Sequence, residues 1–271
     1  MKVKNNYDEC LTNLACSIRK YFDLDYRHKT LLYIDDILKR KCPENVILIL
    51  CDGMGSNILD KNLAKESFLL KNKKKDITTV FPATTVAATT SIMTGLNPVE
   101  TAMLGWDMYY KEIDKTITTF LNCEKGDTDH KEIKEAILYK EKHMITTPII
   151  DEINKFNKGA GYSLFPFGDN CYTDIDDMFT KIEKICLEKG KKYIYAYIKE
   201  PDHALHENGC ESEIVKEIME SINDKIENLS KEIKDAIIFV VADHGHKNVK
   251  NIDLNDYPDI VQCLDKNTSL E

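Results

Sequence analysis

Short apolar runs alternate along this chain with longer segments in which apolar residues recur every three or four positions. The apolar runs predict strands, and the three- and four-residue spacing predicts amphipathic helices. We expect two helices within 10–40, further helices at 56–70, 84–94, 147–157, 174–189 and 211–232, and strands at 45–51, 76–81, 161–166, 192–198 and 236–242. Strands that alternate with helices predict an α/β fold, a mostly parallel sheet with helices on both faces.

One segment, 107–143, interrupts this alternation. It has no clean apolar period and is rich in Lys, Asp and Glu. We interpret it as a small insertion after the helix at 84–94, a cap-like excursion rather than a separate core. A length of 271 residues fits one α/β domain spanning 1–271.

Charge and cysteine usage limit the partners and the compartment. A formal net charge of −9 argues against a general nucleic-acid-binding surface. Nine cysteines, odd in number and without a CxxC pair, indicate a reducing cytoplasm rather than a disulfide framework. No stretch approaches the about 18 apolar residues of a membrane span, and residues 1–9 lack the apolar core of a signal peptide. We expect a cytoplasmic protein that binds neither nucleic acid nor membrane.

Polar residues that suit metal binding follow two of the apolar runs. Asp243 and His244 come directly after 236–242, a run of seven apolar residues that predicts a buried strand. Asp52 follows 45–51 in the same way, although an aspartate before a glycine also suits a plain tight turn. Ligand sites of open α/β sheets lie beyond the carboxyl ends of the strands, so these residues predict a metal site there.

Two further strand ends carry candidate residues. Asp202 and His206 follow 192–198 and would share one face of a helix, although a surface pair with this spacing is also common. Thr84 and Thr85 open a helix, either as capping residues or as hydroxyls in the positive end of its dipole, where alkoxide and phosphate are stabilised. A threonine hydroxyl is a poor nucleophile unless something ionises it. Two cations about 4 Å apart can do so and clamp the attacking and leaving oxygens.

Four motifs follow one another in a fixed order: Leu48 to Gly55, Phe81 to Gly95, Glu200-Pro201-Asp202 with His206 and Gly209, and Ala242 to Gly245. In order and spacing, across 45–107 and 192–246, they resemble the alkaline phosphatase superfamily. Within it they resemble the type I phosphodiesterase and nucleotide pyrophosphatase branch. The resemblance implies an alkaline-phosphatase-like core.

The resemblance also implies two divalent metals, usually zinc in the family, with manganese as the alternative. The first metal site would be made of four residues, Asp52, Thr85, Asp243 and His244. The second would contain Asp202 and His206, and in the family it is completed by a histidine much nearer the C-terminus.

The same resemblance assigns the nucleophile. In this branch it lies ten residues before the glycine of a Thr-Gly pair, which is Gly95 here, so it falls on Thr85 rather than Thr84. Relatives often carry, three residues after the nucleophile, an asparagine that helps to hold a phosphate oxygen. That position is Ala88 here, with Thr89 or a backbone amide as the substitute.

Two other residues bear on substrate and metal binding. Trp106 begins an aromatic stretch that either lies over a base or other leaving group or belongs to the core. No histidine follows His246, so the family's late ligand is missing, and we expect the chain to lack the C-terminal part of the family fold after 271. The weaker candidates for substrate binding are thus Thr84, Ala88, Thr89, Trp106 and His246.

The resemblance implies metal-dependent hydrolysis of phosphodiester or nucleotide pyrophosphate bonds through a phospho-threonyl intermediate. The partner would be a small phosphate ester, with nucleotides among the candidates. One alternative keeps the fold and changes the reaction, to that of a phosphomonoesterase, phosphonate hydrolase or phosphosugar mutase. Another is a catalytically silent, truncated form that cannot hold both metals.

Overall fold

A computed structural model describes residues 5–166, 171–250 and 252–263 of the chain. In chain order the helices are α1 (Leu11–Tyr21), α2 (Leu32–Lys41), α3 (Ser56–Asn62), α4 (Phe68–Asn72), α5 (Thr85–Thr94), α6 (Pro98–Thr101), α7 (Lys134–His143), α8 (Ile149–Lys155), α9 (Ile175–Cys186), α10 (Asp202–Asn208), α11 (Glu213–Glu232) and α12 (Pro258–Cys263). The strands are β1 (Asn45–Cys51), β2 (Asp107–Tyr110), β3 (Lys115–Thr118), β4 (Cys123–Glu124), β5 (Ala160–Leu164), β6 (Lys192–Ile198) and β7 (Ala236–Val241). The predicted mixture of a parallel sheet and covering helices is confirmed.

The main sheet is parallel and has the strand order β5-β6-β1-β7. Leu50 of β1 pairs with Tyr197 of β6 on one side and with Val241 of β7 on the other. These three strands therefore end at the same edge of the sheet, which is where ligand sites of open α/β sheets lie.

Helices cover both faces of this sheet. Val46, Leu48 and Leu50 of β1 lie in the cluster formed with α1, α2, α5 and α8. Ile47 and Ile49 lie in the cluster formed with α3, α4, α9, α10 and α11. This alternation follows from the two-residue period of a strand. Burial of each of these side chains contributes about 1.5–3 kcal/mol, so the two cores hold the strand ends in register.

The longest helix, α11, shows how polar and apolar residues are divided between core and solvent. Its buried side chains include Val215, Met219, Ile222, Ile226 and Leu229, which recur at helical spacing on one face. Charged residues occupy the other face. Across the ranges that the structure describes, no helix combines the length and the apolar character needed to cross a bilayer.

β7 lies at an edge of the sheet, and the prediction of a buried strand at 236–242 is wrong in this respect. Its residues are half-exposed throughout. Its side chains contact both hydrophobic cores, which explains why the whole run is apolar. On its outer side, however, no strand of the described ranges pairs with it.

The segment 76–81 is extended but is not a strand of the sheet, contrary to the prediction. Its backbone makes a single bridge, between Thr78 and Cys10. The Thr78 amide donates to the Glu9 carbonyl at 2.9 Å, and the Leu11 amide donates to the Thr78 carbonyl at 3.2 Å. The segment is thus fastened to the start of α1, so its apolar residues pack beneath a helix rather than between strands.

The helix predicted at 56–70 is two helices, α3 and α4. The chain turns extended at Leu63 (φ −114°, ψ 143°) and again at Ser67 (φ −59°, ψ 151°). The break leaves both Leu63 and Leu69 buried in the same core. The free energy gained by burying these two leucines favours the break over one continuous helix.

The excursion at 107–143 has more structure than its sequence predicts. β2, β3 and β4 form an antiparallel sheet, and α7 packs against it. A third hydrophobic cluster includes the fully buried Tyr110, Ile117 and Ala136, and it also contains Val86 of α5, so the excursion packs against the main domain. The single domain over 1–271 stays a prediction.

Candidate metal centre and active site

Three loops meet at the carboxyl edge of the sheet, each directly after a strand. The Asp202 amide donates to the Asp52 carbonyl at 3.1 Å. The Gly53 amide donates to Asp243 Oδ1 at 3.0 Å. These bonds tie the ends of β1, β6 and β7 together, so acidic side chains from three distant parts of the sequence lie side by side.

The first cluster contains Asp52, Asp243 and His244, whose ligand atoms all lie within 4.8 Å of one another. His244 Nε2 is 3.3 Å from Asp52 Oδ1 and 3.6 Å from Asp243 Oδ2. The Thr85 hydroxyl joins them, with Oγ1 at 3.4 Å from Asp52 Oδ1 and 3.2 Å from His244 Nε2. All four predicted ligands of the first site are thus brought together.

These separations suit a metal ion better than direct hydrogen bonds. Two ligands of a tetrahedral zinc ion, each about 2.1 Å from the metal, lie about 3.4 Å apart. Strong hydrogen bonds between charged groups would be about 2.7–2.9 Å long. The four contacts among Thr85, Asp52, Asp243 and His244 span 3.2 to 3.6 Å. The donor set of two carboxylates, an imidazole and a hydroxyl therefore fits a divalent cation.

Asp243 is a fully buried carboxylate with one oxygen left over. Its Oδ1 accepts from the amides of Gly53 (3.0 Å) and His244 (2.9 Å). Its buried Oδ2 accepts no hydrogen bond from the described residues. Burial, and then the charge of Asp52, raise the pKa of Asp243 above its ordinary value. A cation between the two carboxylates would offset both the burial of the Asp243 charge and its repulsion by Asp52.

His244 is held with one nitrogen facing the cluster. A carbonyl can only accept, so the contact of His244 Nδ1 with the Gly245 carbonyl at 3.1 Å requires a proton on Nδ1. In the neutral ring Nε2 then carries the lone pair that a metal needs. Burial lowers the pKa of His244, but Asp52 and Asp243 outweigh it and leave this pKa raised. The excess negative charge of the cluster attracts a proton in the absence of another cation.

Thr85 is the first residue of α5, with Thr84 as its N-cap. Its hydroxyl therefore lies at the positive end of the helix dipole, beside amides without partners in the first turn. The other end of α5 is fixed by Gly95, which adopts φ +77° and terminates the helix. Arg19 donates to the Thr94 carbonyl there at 3.0 Å. The helix is thus held at both ends, and Thr85 is half-buried at the metal cluster.

The second cluster contains Asp202, His206 and His246, whose ligand atoms also lie within 4.8 Å of one another. Asp202 and His206 share one face of α10, as the four-residue spacing predicts, with Asp202 Oδ2 at 3.4 Å from His206 Nε2. His246 Nδ1 lies 3.5 Å from Asp202 Oδ1. The ring centroids of the two histidines are 4.5 Å apart and nearly perpendicular.

The structure contradicts two of the weaker candidates for substrate binding. Ala88 is fully buried in the core, so its methyl group does not face the site. Thr89 is 2% exposed, and its hydroxyl donates to the Thr85 carbonyl at 2.5 Å. Although residues three and four positions after Thr85 lie on its side of the helix, one turn further along, both side chains are covered by the core. Backbone amides at the start of α5 are the remaining donors there.

Two weaker candidates keep an accessible or unsatisfied group. Thr84 Oγ1 is buried and has no hydrogen-bond partner among the residues described. Trp106 is 46% exposed and meets Phe120 edge-on, with centroids 6.2 Å apart. Tyr110, by contrast, is a core residue stacked on Tyr139 at 4.3 Å. A role of Trp106 over a leaving group stays a prediction.

Sequence reasoning missed Tyr197. Its hydroxyl donates a short hydrogen bond to Asp52 Oδ2. Burial, and then the charge of Asp52, raise the pKa of Tyr197 far above its ordinary value, so the hydroxyl stays protonated. The available signal was its place at the end of β6, one residue before the strand ends beside Asp52.

Comparisons with known proteins agree with this architecture. Residues 46–268 match the sequence profile of the type I phosphodiesterase / nucleotide pyrophosphatase family. No curated protein matches the sequence. Murine ectonucleotide pyrophosphatase/phosphodiesterase 5 superposes with a TM-score of 0.59 at 20% identity, covering 82% of this chain and 61% of that chain. One of its structures is an inactive form in complex with AMP.

The human counterpart of that protein gives a TM-score of 0.56 at 19% identity, covering 74% of this chain and 56% of that chain. The chain therefore spans less than two thirds of the length of these solved structures. The profile match, by contrast, covers most of the chain and includes both metal-ligand clusters. The chain belongs to the type I phosphodiesterase / nucleotide pyrophosphatase family.

Proposed function

We propose that this chain hydrolyses phosphodiester or nucleotide pyrophosphate bonds, with Thr85 as the nucleophile and two divalent metals as cofactors. One observation carries the proposal: Thr85 Oγ1 lies 3.2 to 3.5 Å from Asp52 and His244 at the N-terminus of α5. Together with two buried carboxylates and an imidazole, this hydroxyl forms a donor set that suits a divalent cation.

The reaction would have two displacements at phosphorus. Thr85 Oγ loses its proton and forms a bond to phosphorus, while the bond from phosphorus to the leaving oxygen breaks and that oxygen is protonated. Water then attacks the phospho-threonine, the bond between phosphorus and Oγ breaks, and Thr85 regains its proton. Backbone amides in the first turn of α5 would hold a phosphate oxygen during both steps.

The donor sets indicate which residues would hold the metals. Asp52, Thr85, Asp243 and His244 would hold one, and the group containing Asp202 and His206 the other. When bound, the cations would lower the pKa of the hydroxyl nucleophile and of water and offset the charge that develops on the phosphate oxygens. Mixed imidazole and carboxylate donors favour zinc, with manganese as the alternative.

Nucleotides are the substrate class that the comparisons favour. The murine protein, similar in fold, has a structure of an inactive form in complex with AMP. For the present chain we therefore propose a nucleotide or a related small phosphate ester as the substrate. A reducing, cytoplasmic location is also part of the proposal. Five of the nine cysteines are buried as small apolar side chains, which is how free thiols are used in such proteins.

The experiment compares Thr85→Ala with Thr84→Ala, its neighbour at the start of the same helix. Loss of the nucleophile should lower kcat for a bis-aryl phosphate diester by at least about 10³-fold. Thr85→Ser keeps a hydroxyl and should retain part of the activity. Thr84→Ala keeps the Thr85 hydroxyl and should lower kcat far less than Thr85→Ala does.

Metal content is measured alongside, so that loss of chemistry is separated from loss of metal. Unchanged turnover in Thr85→Ala would rule out the covalent mechanism. A wild-type preference above about tenfold for the matching aryl monoester would rule out the diesterase assignment and favour the monoesterase alternative; that factor equals about 1.4 kcal/mol of transition-state discrimination.

A further inference from the structure

The second metal cluster has three residues whose ligand atoms lie within 4.8 Å of one another, and of these the family resemblance implies only Asp202 and His206. Asp202 Oδ1 is 3.5 Å from His246 Nδ1, and Asp202 Oδ2 is 3.4 Å from His206 Nε2. Ligands of one tetrahedral ion lie about 3.4 Å apart when each bond is about 2.1 Å long. Direct N–H···O hydrogen bonds would be about 2.9 Å long. The spacing is that of ligands around an ion.

The carboxylate of Asp202 supports the same interpretation. Its side chain is 17% exposed, and the buried Oδ1 accepts no hydrogen bond from the part of the chain that the structure describes. An ordinary aspartate–histidine ion pair would close to hydrogen-bonding distance and satisfy that oxygen. An Asp202 Oδ1 without a hydrogen bond, next to His246 Nδ1, is the arrangement expected when a metal ion lies between these two atoms.

The backbone around His246 is fixed by contacts with neighbouring parts of the fold. Asn57 Nδ2 donates to the His246 carbonyl at 2.6 Å. Gly55 and Gly245 pass so close that a Cβ on Gly55 would lie 2.6 Å from the Gly245 Cα. Two residues further on, Asn248 Oδ1 accepts from the Cys210 amide at 3.0 Å. The loop after β7 is thus clamped between the start of α3 and the end of α10.

The cluster is open on one side. The side chain of His206 is 67% exposed, whereas those of Asp202 and His246 are 17% and 18% exposed. Three protein ligands and one open side are the usual pattern of a catalytic zinc site, whereas structural sites have four protein ligands. A substrate oxygen or water therefore has access from the His206 side.

We propose that His246 is a third ligand of the second metal site, beside Asp202 and His206. The inference rests on the proposed function, because it assigns a ligand to one of the two proposed metals. With His246, all seven ligands of both sites come from between residues 52 and 246.

The experiment measures bound zinc per chain after gel filtration and zinc affinity by competition with a chromophoric chelator. His246→Ala should retain one zinc and bind the other more than about 100-fold more weakly, because loss of even an outer-shell partner costs 10- to 100-fold. His206→Ala should behave in the same way. His246→Asp should hold two zinc ions, since a carboxylate oxygen lies the same two bonds from Cβ as Nδ1 does.

His203→Ala is the matched control. This histidine lies on the same helix as His206, is 60% exposed, and faces Glu207 instead of the cluster. It should leave both zinc ions in place.

The outcomes separate the two proposals. Two zinc ions in His246→Ala with wild-type affinity, or loss of one zinc in both the Ala and the Asp variants, would overturn the role of His246. In that case an active, two-zinc wild type would leave the proposed function standing. Fewer than one zinc per wild-type chain, with no gain on adding zinc or manganese, would overturn the proposed function itself.

Discussion

At the scale of single residues, the site depends on which groups offset the cost of burying two carboxylate charges. Asp52 and Asp243 are 4% and 0% exposed and lie side by side. Their hydrogen bonds come from backbone amides and from Tyr197. The sequence could indicate both carboxylates because each follows an apolar run. For Tyr197 it offered only a position near the end of β6, and alternate tyrosines of that strand look alike until the neighbouring strands are known.

Tyr197→Phe tests how much the Tyr197 hydroxyl stabilises the buried carboxylate of Asp52. Removing the hydroxyl leaves Asp52 Oδ2 without its buried donor, which should lower the free energy of unfolding by about 1.5–3 kcal/mol. Zinc affinity of the first site should fall about 10- to 100-fold, as for other outer-shell partners. Urea denaturation with a chelator present measures the first effect, and chelator competition the second.

Tyr195→Phe is the control for that prediction. Tyr195 lies on the same strand, is more deeply buried, and its hydroxyl has no hydrogen-bond partner within the described ranges. Its removal should be nearly neutral or stabilising. Equal losses in the two variants would mean that the Tyr197 hydrogen bond to Asp52 contributes nothing specific.

At the scale of elements, the predictions from the sequence were accurate where a strand is buried on both faces or a helix has a clear apolar stripe. β1, β6, α9 and α11 agree with their predicted positions to within a few residues. The segment 76–81 and the break in 56–70 depend on tertiary contacts, with the start of α1 and with the sheet. No local pattern specifies such contacts, and the antiparallel sheet of the excursion at 107–143 was missed for the same reason.

The helix that carries Thr85 is positioned by an ion pair between other helices. Arg19 of α1 donates from both terminal nitrogens to Glu152 of α8 at 2.8 Å, and also to the carbonyl of Thr94, the last residue of α5. The side chains are 10% and 23% exposed. A single arginine therefore joins three helices on one face of the sheet.

Arg19→Ala should lower the free energy of unfolding by about 3 kcal/mol, because it leaves a largely buried carboxylate unpaired. Lys20→Ala provides the comparison, since Lys20 pairs with Asp35 at 2.6 Å with half of its side chain exposed. That exposed pair should contribute at most about 1 kcal/mol. If urea denaturation gave similar losses in the free energy of unfolding for both variants, the contacts of Arg19 with α5 and α8 would not be a source of stability.

At the scale of the whole molecule, the metals should act on stability as well as on chemistry. Carboxylates from three strand ends converge at the carboxyl edge of the sheet, so a cation relieves their repulsion only in the folded state. Free zinc at about 100 times the dissociation constant adds about 2.7 kcal/mol per site. This corresponds to a rise in Tm of about 5–10 °C per site.

Chelation should reverse that rise, and scanning calorimetry with zinc and then with excess chelator measures it. The double variant Asp52→Asn and Asp202→Asn removes a carboxylate from each site and serves as the control. Its Tm should not respond to zinc. A wild-type Tm that is the same with zinc and with chelator would contradict metal binding by the folded chain.

The edge position of β7 has a consequence for how the metals are gained and lost. One hydrogen-bonded ladder attaches this strand to β1, and the residues just after it supply ligands to both proposed sites. Opening of the edge would release Asp243, His244 and His246 together, so departure of one ion makes departure of the other easier. Binding of either ion orders the strand for its neighbour, because the second ion then meets ligands that are already arranged. The two sites would thus fill and empty cooperatively, as a property of one strand rather than of any contact between the ions.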